Sequence, residues 1–241
     1  MAAATAMTTA ATVPTNEDYG WLVCLASWLS PSYPVGAYCY SHGIEWAAAA
    51  GAVATGSDLT DYIATVLETG GGWTDLVLAA AAWRAAEGGR REELDRVAEM
   101  GLALRPTREL ALESLQQGSA FAATTRAAWP GTALDWLAMR QPGAIVYPIA
   151  VGAACAGRVP LRPMLVALGH AAACNLVSAG VRLVPLGQTD GQRTMAALAP
   201  LITSVARRAA AASLDDLGSA APQIELYSMY HEAQYTRLFR S

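Results

Sequence analysis

Few side chains in this sequence can do chemistry, and two pairs of them stand at suggestive spacings. Cys39 and His42 lie three residues apart, and His170 and Cys174 lie four apart. On a helix either spacing lets two side chains approach one ion, and a thiol with an imidazole suits a transition metal. Neither pair is a complete site, because such an ion normally takes three or four ligands. Buried thiols with a hydrogen-bonded histidine nearby are the more ordinary reading. Nucleophilic catalysis has less to work with: there is no GxSxG elbow, and His42, His170 and His231 are far apart with no recognisable partner set. The carboxylate pairs Glu92/Glu93 and Asp215/Asp216 fall among charges at expected helix edges, where solvated faces are the usual outcome. All sixteen basic residues are arginine, which excludes lysine Schiff-base chemistry and a Walker-type phosphate loop.

The elements that must position these residues are helices. The chain has 241 residues, near the upper end for one domain, and 54% of them are hydrophobic against 15% charged, too apolar for general disorder. Alanine is the largest single part of that apolar count and buries little area per residue, so helices packed closely on small side chains are favoured over a sheet of β-branched residues. No alternating strand pattern competes, and the expected fold is an all-α, single-domain bundle of about ten helices. The clearest helix has Ser57 as its cap and the stripe Leu59, Tyr62, Ile63, Val66 and Leu67. Thr74 is expected to cap a second, ending at Gly88-Gly89 and running antiparallel to its successor. Thr107 and Thr132 begin two more, and 143–156 and 163–184 are apolar enough to be central. A last long helix should start near Asp190 and be bent or broken at Pro200.

The net charge is −4 and the arginines are scattered, which argues against nucleic acid as a partner. Cys24, Cys39, Cys155 and Cys174 form no CxxC, so reduced, buried thiols in a cytoplasm fit best. Residues 1–18 read as a disordered Ala/Thr-rich lead without the features of a signal sequence. Residues 163–181 read as a buried core helix and not a membrane span, because His170, Asn175 and Ser178 interrupt them.

Three stretches remain that simple helix packing does not explain. The first packs Pro31, Pro34, Tyr33, Tyr38, Tyr40, Cys39 and His42 ahead of an apolar helix. In the second, 182–192, Gly187 and Gly191 would take positive φ in a tight polar loop and Asp190 would cap the next helix; the loop is either a plain connection or a contact surface. The third is the tail, 227–241, where six of fifteen residues are aromatic or arginine, types enriched in interface anchors. His231 is expected to serve an interface there, and Tyr235 and Phe239, four apart, to share one face of a short helix.

In this order the segments SPSYPVGAYCYSHGIEWA, RPTRELALESLQQG, NLVSAGVRLVPLGQTDGQ and HEAQYTRLFRS give a chain that resembles the urease accessory protein UreF family, from about Trp21 to Ser241. The resemblance implies a cytoplasmic, all-α protein with no enzymatic activity or cofactor of its own, usually a homodimer. It would bind a UreD/UreH-type accessory protein, recruit the UreG-type GTPase that carries nickel, and dock on apo-urease. Carried over by motif, Pro34, Gly36, Tyr38, Ser41, Gly43 and Glu45 fall near the dimer and the GTPase-facing region. Arg182, Gln188, Asp190 and Gln192 match a second signature, and His170 stands where many relatives carry tyrosine. His231, Glu232, Gln234, Tyr235, Arg237, Leu238 and Phe239 match the closing motif, which in relatives orders on binding the UreD/UreH-type protein. That gives a helical domain over 19–226 and a partner-binding tail over 227–241. The alternative is direct nickel delivery by Cys39/His42 or His170/Cys174.

Overall fold

A computed structural model of the protein describes residues 19–241; the lead expected to be disordered, 1–18, lies outside them. The described residues form eleven α-helices and two short 3-10 turns, with no strand among them. In chain order the helices are α1 (Gly20–Trp28), α2 (Ile44–Ala49), α3 (Gly56–Glu68), α4 (Gly71–Glu87), α5 (Arg91–Ala103) and α6 (Arg108–Ala128). They continue with α7 (Thr132–Arg140), α8 (Tyr147–Cys155), α9 (Leu161–Leu183), α10 (Gln188–Ala209) and α11 (Pro222–Glu232). The 3-10 turns are Ala37–Cys39 and Leu214–Asp216.

Alanine decides how the centre is built. Leu76 to Ala82 of α4 and Pro148 to Cys155 of α8 are buried, and the two helices lie against one another. Their approach depends on Gly152, where an added Cβ would fall on the carbonyl oxygen of Ala79. Gly118 does the same between α6 and α8, since a Cβ there would meet the Ile145 carbonyl oxygen. Around this contact Trp28 stands edge-on to Phe121 and Trp129, with ring centres 6.2 and 5.9 Å away. A second apolar cluster gathers Ile44, Leu59, Ile63, Val177, Leu198 and Ile202 from α2, α3, α9 and α10. The long helix α9 joins the two clusters: Met164, Leu165 and Leu168 enter the first, and Leu176 and Val177 the second. By length and composition α9 could cross a membrane, yet half of its apolar window is buried within the fold.

Several expected helix starts move. Thr55, not Ser57, caps α3: its hydroxyl accepts from the Asp58 N–H at 3.2 Å, and the Asp58 carboxylate accepts from the Thr55 N–H at 2.9 Å. This reciprocal pair satisfies two free donors, which a cap at Ser57 does not. Thr74 lies inside α4, where its hydroxyl donates to the Gly218 carbonyl. Thr107 caps α6 as expected, accepting from the Leu110 N–H. α10 runs through Pro200 to Ala209 without a break. Pro200 is exposed, so the carbonyl left without its N–H partner is open to water.

Candidate functional site

α2 begins at Gly43, whose φ of +81° a glycine adopts without strain. A side chain at Gly43 would also collide with α11, because a Cβ would stand 3.1 Å from the Ser228 nitrogen. α2 is thereby pressed against α11, and Glu45 in its first turn is buried between them. Glu109 occupies the first turn of α6, where the helix dipole favours a negative charge, and it too is buried. The α6 cap is tied to α11 directly, since the hydroxyls of Thr107 and Ser228 are 2.8 Å apart.

His231, at the end of α11, lies wholly buried between the two carboxylates. Its Nδ1 is 2.8 Å from Glu109 Oε2 and its Nε2 is 3.1 Å from Glu45 Oε2. Both ring nitrogens thus face carboxylate oxygens. Burial pushes the Glu109 carboxyl above the usual carboxylate range, while His231 and the Arg237 charge pull it back.

The remaining oxygens of this cluster hold the final segment, 233–241. Arg237 donates to Glu109 Oε1 at 3.0 Å. The backbone N–H of Leu238 donates to Glu45 Oε1 at 2.6 Å and that of Phe239 to Glu45 Oε2 at 2.8 Å. Beyond them Arg240 N–H donates to the Cys39 carbonyl at 2.8 Å and Ser41 N–H to the Ser241 carbonyl at 2.6 Å. Two glutamates from separate helices thus seat a peptide backbone and an arginine against the opening stretch.

The structure therefore brings residues of all four motif segments together. Ser41 and Glu45 form the floor, and Phe239 is buried beneath Arg182. Tyr38, in the turn after Gly36, is 66% exposed beside them. Pro34 is exposed just before that turn. Tyr235 projects fully into solvent and Leu238 is 65% exposed. Glu232 is exposed at the end of α11. Gln188, Asp190 and Gln192 are not in a loop: they lie in the first two turns of α10, with Gly187 at φ −81° and Gly191 inside the helix. Asp190 caps this turn by reaching back to accept the Gly187 N–H at 3.1 Å, which supplies the donor's partner without any positive φ.

His231 is an internal strut and not an exposed interface residue. Tyr235 and Phe239 do not share a helical face, because Glu45 takes the N–H groups of residues 238 and 239 in place of an i to i−4 ladder. Glu109 and Ser228, which complete the seat, carry no signal in the sequence beyond the Thr107 cap that places the carboxylate in a first turn.

The cysteine–histidine pairs separate. His42 adopts φ +54° and turns its Nδ1 to Glu113 Oε2 at 3.7 Å, and no hydrogen bond joins it to Cys39. His170 and Cys174 do meet, with Sγ 3.5 Å from Nε2 on the outer side of α9. Among the described residues no group of three or more His, Cys, Asp or Glu side chains is placed to hold a metal ion. Cys155 is buried, whereas Cys24, Cys39 and Cys174 are only half-buried.

Comparison with known proteins adds a second line. The family model described as UreF matches residues 53–199. A urease accessory protein UreF of Granulibacter bethesdensis is 50% identical over 218 residues, covering 90% of this chain and 92% of that protein. One from Rhodopseudomonas palustris BisA53 is 49% identical with the same coverage. Another from Methylobacterium radiotolerans is 49% identical over 219 residues, 90% of this chain and 95% of its own length.

Proposed function

The chain belongs to the UreF family of urease accessory proteins, and on that premise we propose that it acts in urease maturation as a non-catalytic scaffold. In this reading it bridges a UreD/UreH-type protein and a UreG-type GTPase in the cytoplasm, works as a homodimer, and docks with them on apo-urease. Nickel is then the cargo of the complex, carried by the GTPase, and this chain contributes surface and not chemistry.

One observation carries the reading. The tail is seated on two buried glutamates, so Tyr235 and Leu238 are held outward instead of trailing free. Holding exposed anchor residues in place before association lowers the ordering cost that binding must meet. α11 also exposes Leu226, Met229 and Tyr230. An apolar patch with polar surroundings is what a protein partner recognises.

The test is co-purification of the intact chain, of a Leu238→Asp variant and of a version ending at Ala233 with UreD/UreH-type and UreG-type proteins, followed by sizing. The intact chain should form the ternary complex, Leu238→Asp should weaken it at least tenfold, and the shortened chain should fail. Full assembly by the shortened chain would remove the tail from the interface and overturn the reading.

A further inference from the structure

We propose that a recess beside the tail seat binds a primary carboxamide, a neutral group with one oxygen acceptor and two N–H donors. The recess lies where the loop at His42, the first turns of α4, the link from α5 to α6 and α6 itself meet. Its wall includes His42, Gly71, Asp75, Arg105, Glu113 and Gln117. Arg105, Glu113 and Gln117 belong to the motif segment RPTRELALESLQQG, which also supplies Thr107 and Glu109 to the tail seat. Glu113 connects the two places, since its Oε2 accepts from the Ser241 hydroxyl at 2.9 Å and stands 3.7 Å from His42 Nδ1.

Five buried side-chain polar atoms lack a hydrogen-bond partner among the described residues, and three of them belong to this one wall: His42 Nε2, Asp75 Oδ1 and Arg105 Nη2. Such atoms are few in a folded protein, and their gathering in one place calls for a group that satisfies them. Only 7% of the Arg105 side chain is exposed. Its Nε donates to the Gly101 carbonyl at 3.0 Å. Its Nη1 stands 2.7 Å from Asp75 Oδ1, an ion contact out of line for a hydrogen bond, and Nη2 is left free. Because His42 Nδ1 faces the Glu113 carboxylate, the ring proton is favoured there and Nε2 is left as an acceptor. Gly71 lies beside the His42 ring and Asp75 one turn further along α4, so the two ends of the recess are one helical turn apart. The three atoms are closed to water, and an entering group meets them as the Arg105 and His42 side chains turn toward it.

The recess has about 60 Å³ of room. A water needs about 10–15 Å³ on this measure, so the occupant has about four heavy atoms. Hydrogen-bond matching then selects its chemistry. Arg105 Nη2 requires an acceptor, whereas Asp75 Oδ1 and His42 Nε2 require donors. A carboxamide supplies both from one end. A carboxylate has no donor and would face the charges of Asp75 and Glu113, while an amidinium has no acceptor for Arg105. The amide comes either from a free small molecule or from an asparagine or glutamine side chain of a docked protein.

The test uses the isolated intact chain, so it decides the site whether or not the proposed complex forms. The chain has three histidines, and isotopic labelling of histidine nitrogen alone gives separate ring signals. Acetamide, acetate and acetamidinium share one shape and differ in charge and donors, and each is titrated at neutral pH. Acetamide should shift the His42 ring signal saturably, leaving His170 and His231 unmoved, with a dissociation constant of roughly 1 mM for so small a ligand. Acetate and acetamidinium should bind at least tenfold more weakly. Arg105→Ala leaves Asp75 without its counter-charge, so Gly71→Ala is the blocking variant. Its methyl stands 3.6 Å from His42 Nε2, an ordinary contact that the fold accepts. Taking room from the recess, it should weaken acetamide at least tenfold. No saturable shift, an equal response to all three probes, or an undiminished response in Gly71→Ala overturns the site. With the site upheld, a repeat titration on the assembled complex separates the sources: a response that persists assigns a free amide, and a blocked one assigns a partner's side chain.

Discussion

The guanidinium of Arg182 lies 4.4 Å from the centre of the Phe239 ring, and its Nη2 donates to the Tyr38 carbonyl at 3.1 Å. One side chain at the end of α9 thus touches the opening stretch and the final segment together. Phe239→Ala empties a buried position and should cost about 3 kcal/mol in urea unfolding. Arg182→Ala, at an exposed cation–ring contact, should cost about 1 kcal/mol or less. The double variant should cost less than the sum, by about 0.5 kcal/mol or more, since the pair is in direct contact. Strict additivity would show that the contact contributes nothing.

Glu45 has a larger predicted effect. Glu45→Ala strips the acceptor from two backbone N–H groups and leaves His231 buried with one carboxylate, a loss of about 3 to 5 kcal/mol. Limited trypsin digestion is the sharper readout, because release of the segment exposes the bond after Arg237. Cleavage there should be at least tenfold faster in Glu45→Ala than in the parent chain.

The backbone contacts at Gly118 and Gly152 predict intolerance of a single methyl. Gly118→Ala and Gly152→Ala each push a Cβ into a carbonyl oxygen that belongs to another part of the fold. Each should lower stability by about 3 kcal/mol or more in thermal or urea unfolding. Gly20→Ala is the contrast: nothing lies within 4 Å of its Cβ. There the gain in helix propensity should leave stability equal or up to about 1 kcal/mol higher.

Acid stability should be sensitive at two helix starts. The Asp58 carboxyl is held below its ordinary 3.8 by the Ala54 and Thr55 N–H groups and the Thr55 hydroxyl. The Asp190 carboxyl is likewise lowered, by the Gly187 N–H and by Arg193. A depressed folded value means that the folded protein binds the proton less readily than the unfolded chain. The contribution is therefore complete above the unfolded value and fades as pH falls through the folded one. Thermal midpoints of Asp58→Asn and Asp190→Asn should fall below the parent at pH 6 and converge with it below about pH 3. A gap that stays constant down to that pH would contradict the assignment.

Local patterns are legible where one face of one helix decides the outcome. The stripe from Leu59 to Leu67 and the Thr107 cap need only spacing and a hydroxyl. The cap of α3 lies two residues from the expected Ser57 because Asp58, at the third helical position, makes Thr55 the better partner. Pro200 alone predicts an interruption of α10, but a solvent-facing carbonyl tolerates the missing donor. The seat of the tail is the least readable part. Glu109 and His231 are 122 positions apart, and Glu45 and Phe239 are 194 apart. No local period marks such pairs, although Glu45 stands out as a lone charge in an otherwise apolar run.

The α4–α8 contact gives the chain an unusual direction of vulnerability. In a core of leucines the damaging change is the one that removes atoms, and neighbours slump toward the hole. At Gly152 the two helices meet main chain to main chain, with Ala79 and Ala82 opposite, and at that crossing there is no larger side chain whose trimming could make room. Random substitution at that crossing almost always adds atoms. This one point of the centre is therefore confined to the smallest residues, and adaptive change is left to the edges of the molecule, where α11 and the final segment present side chains outward.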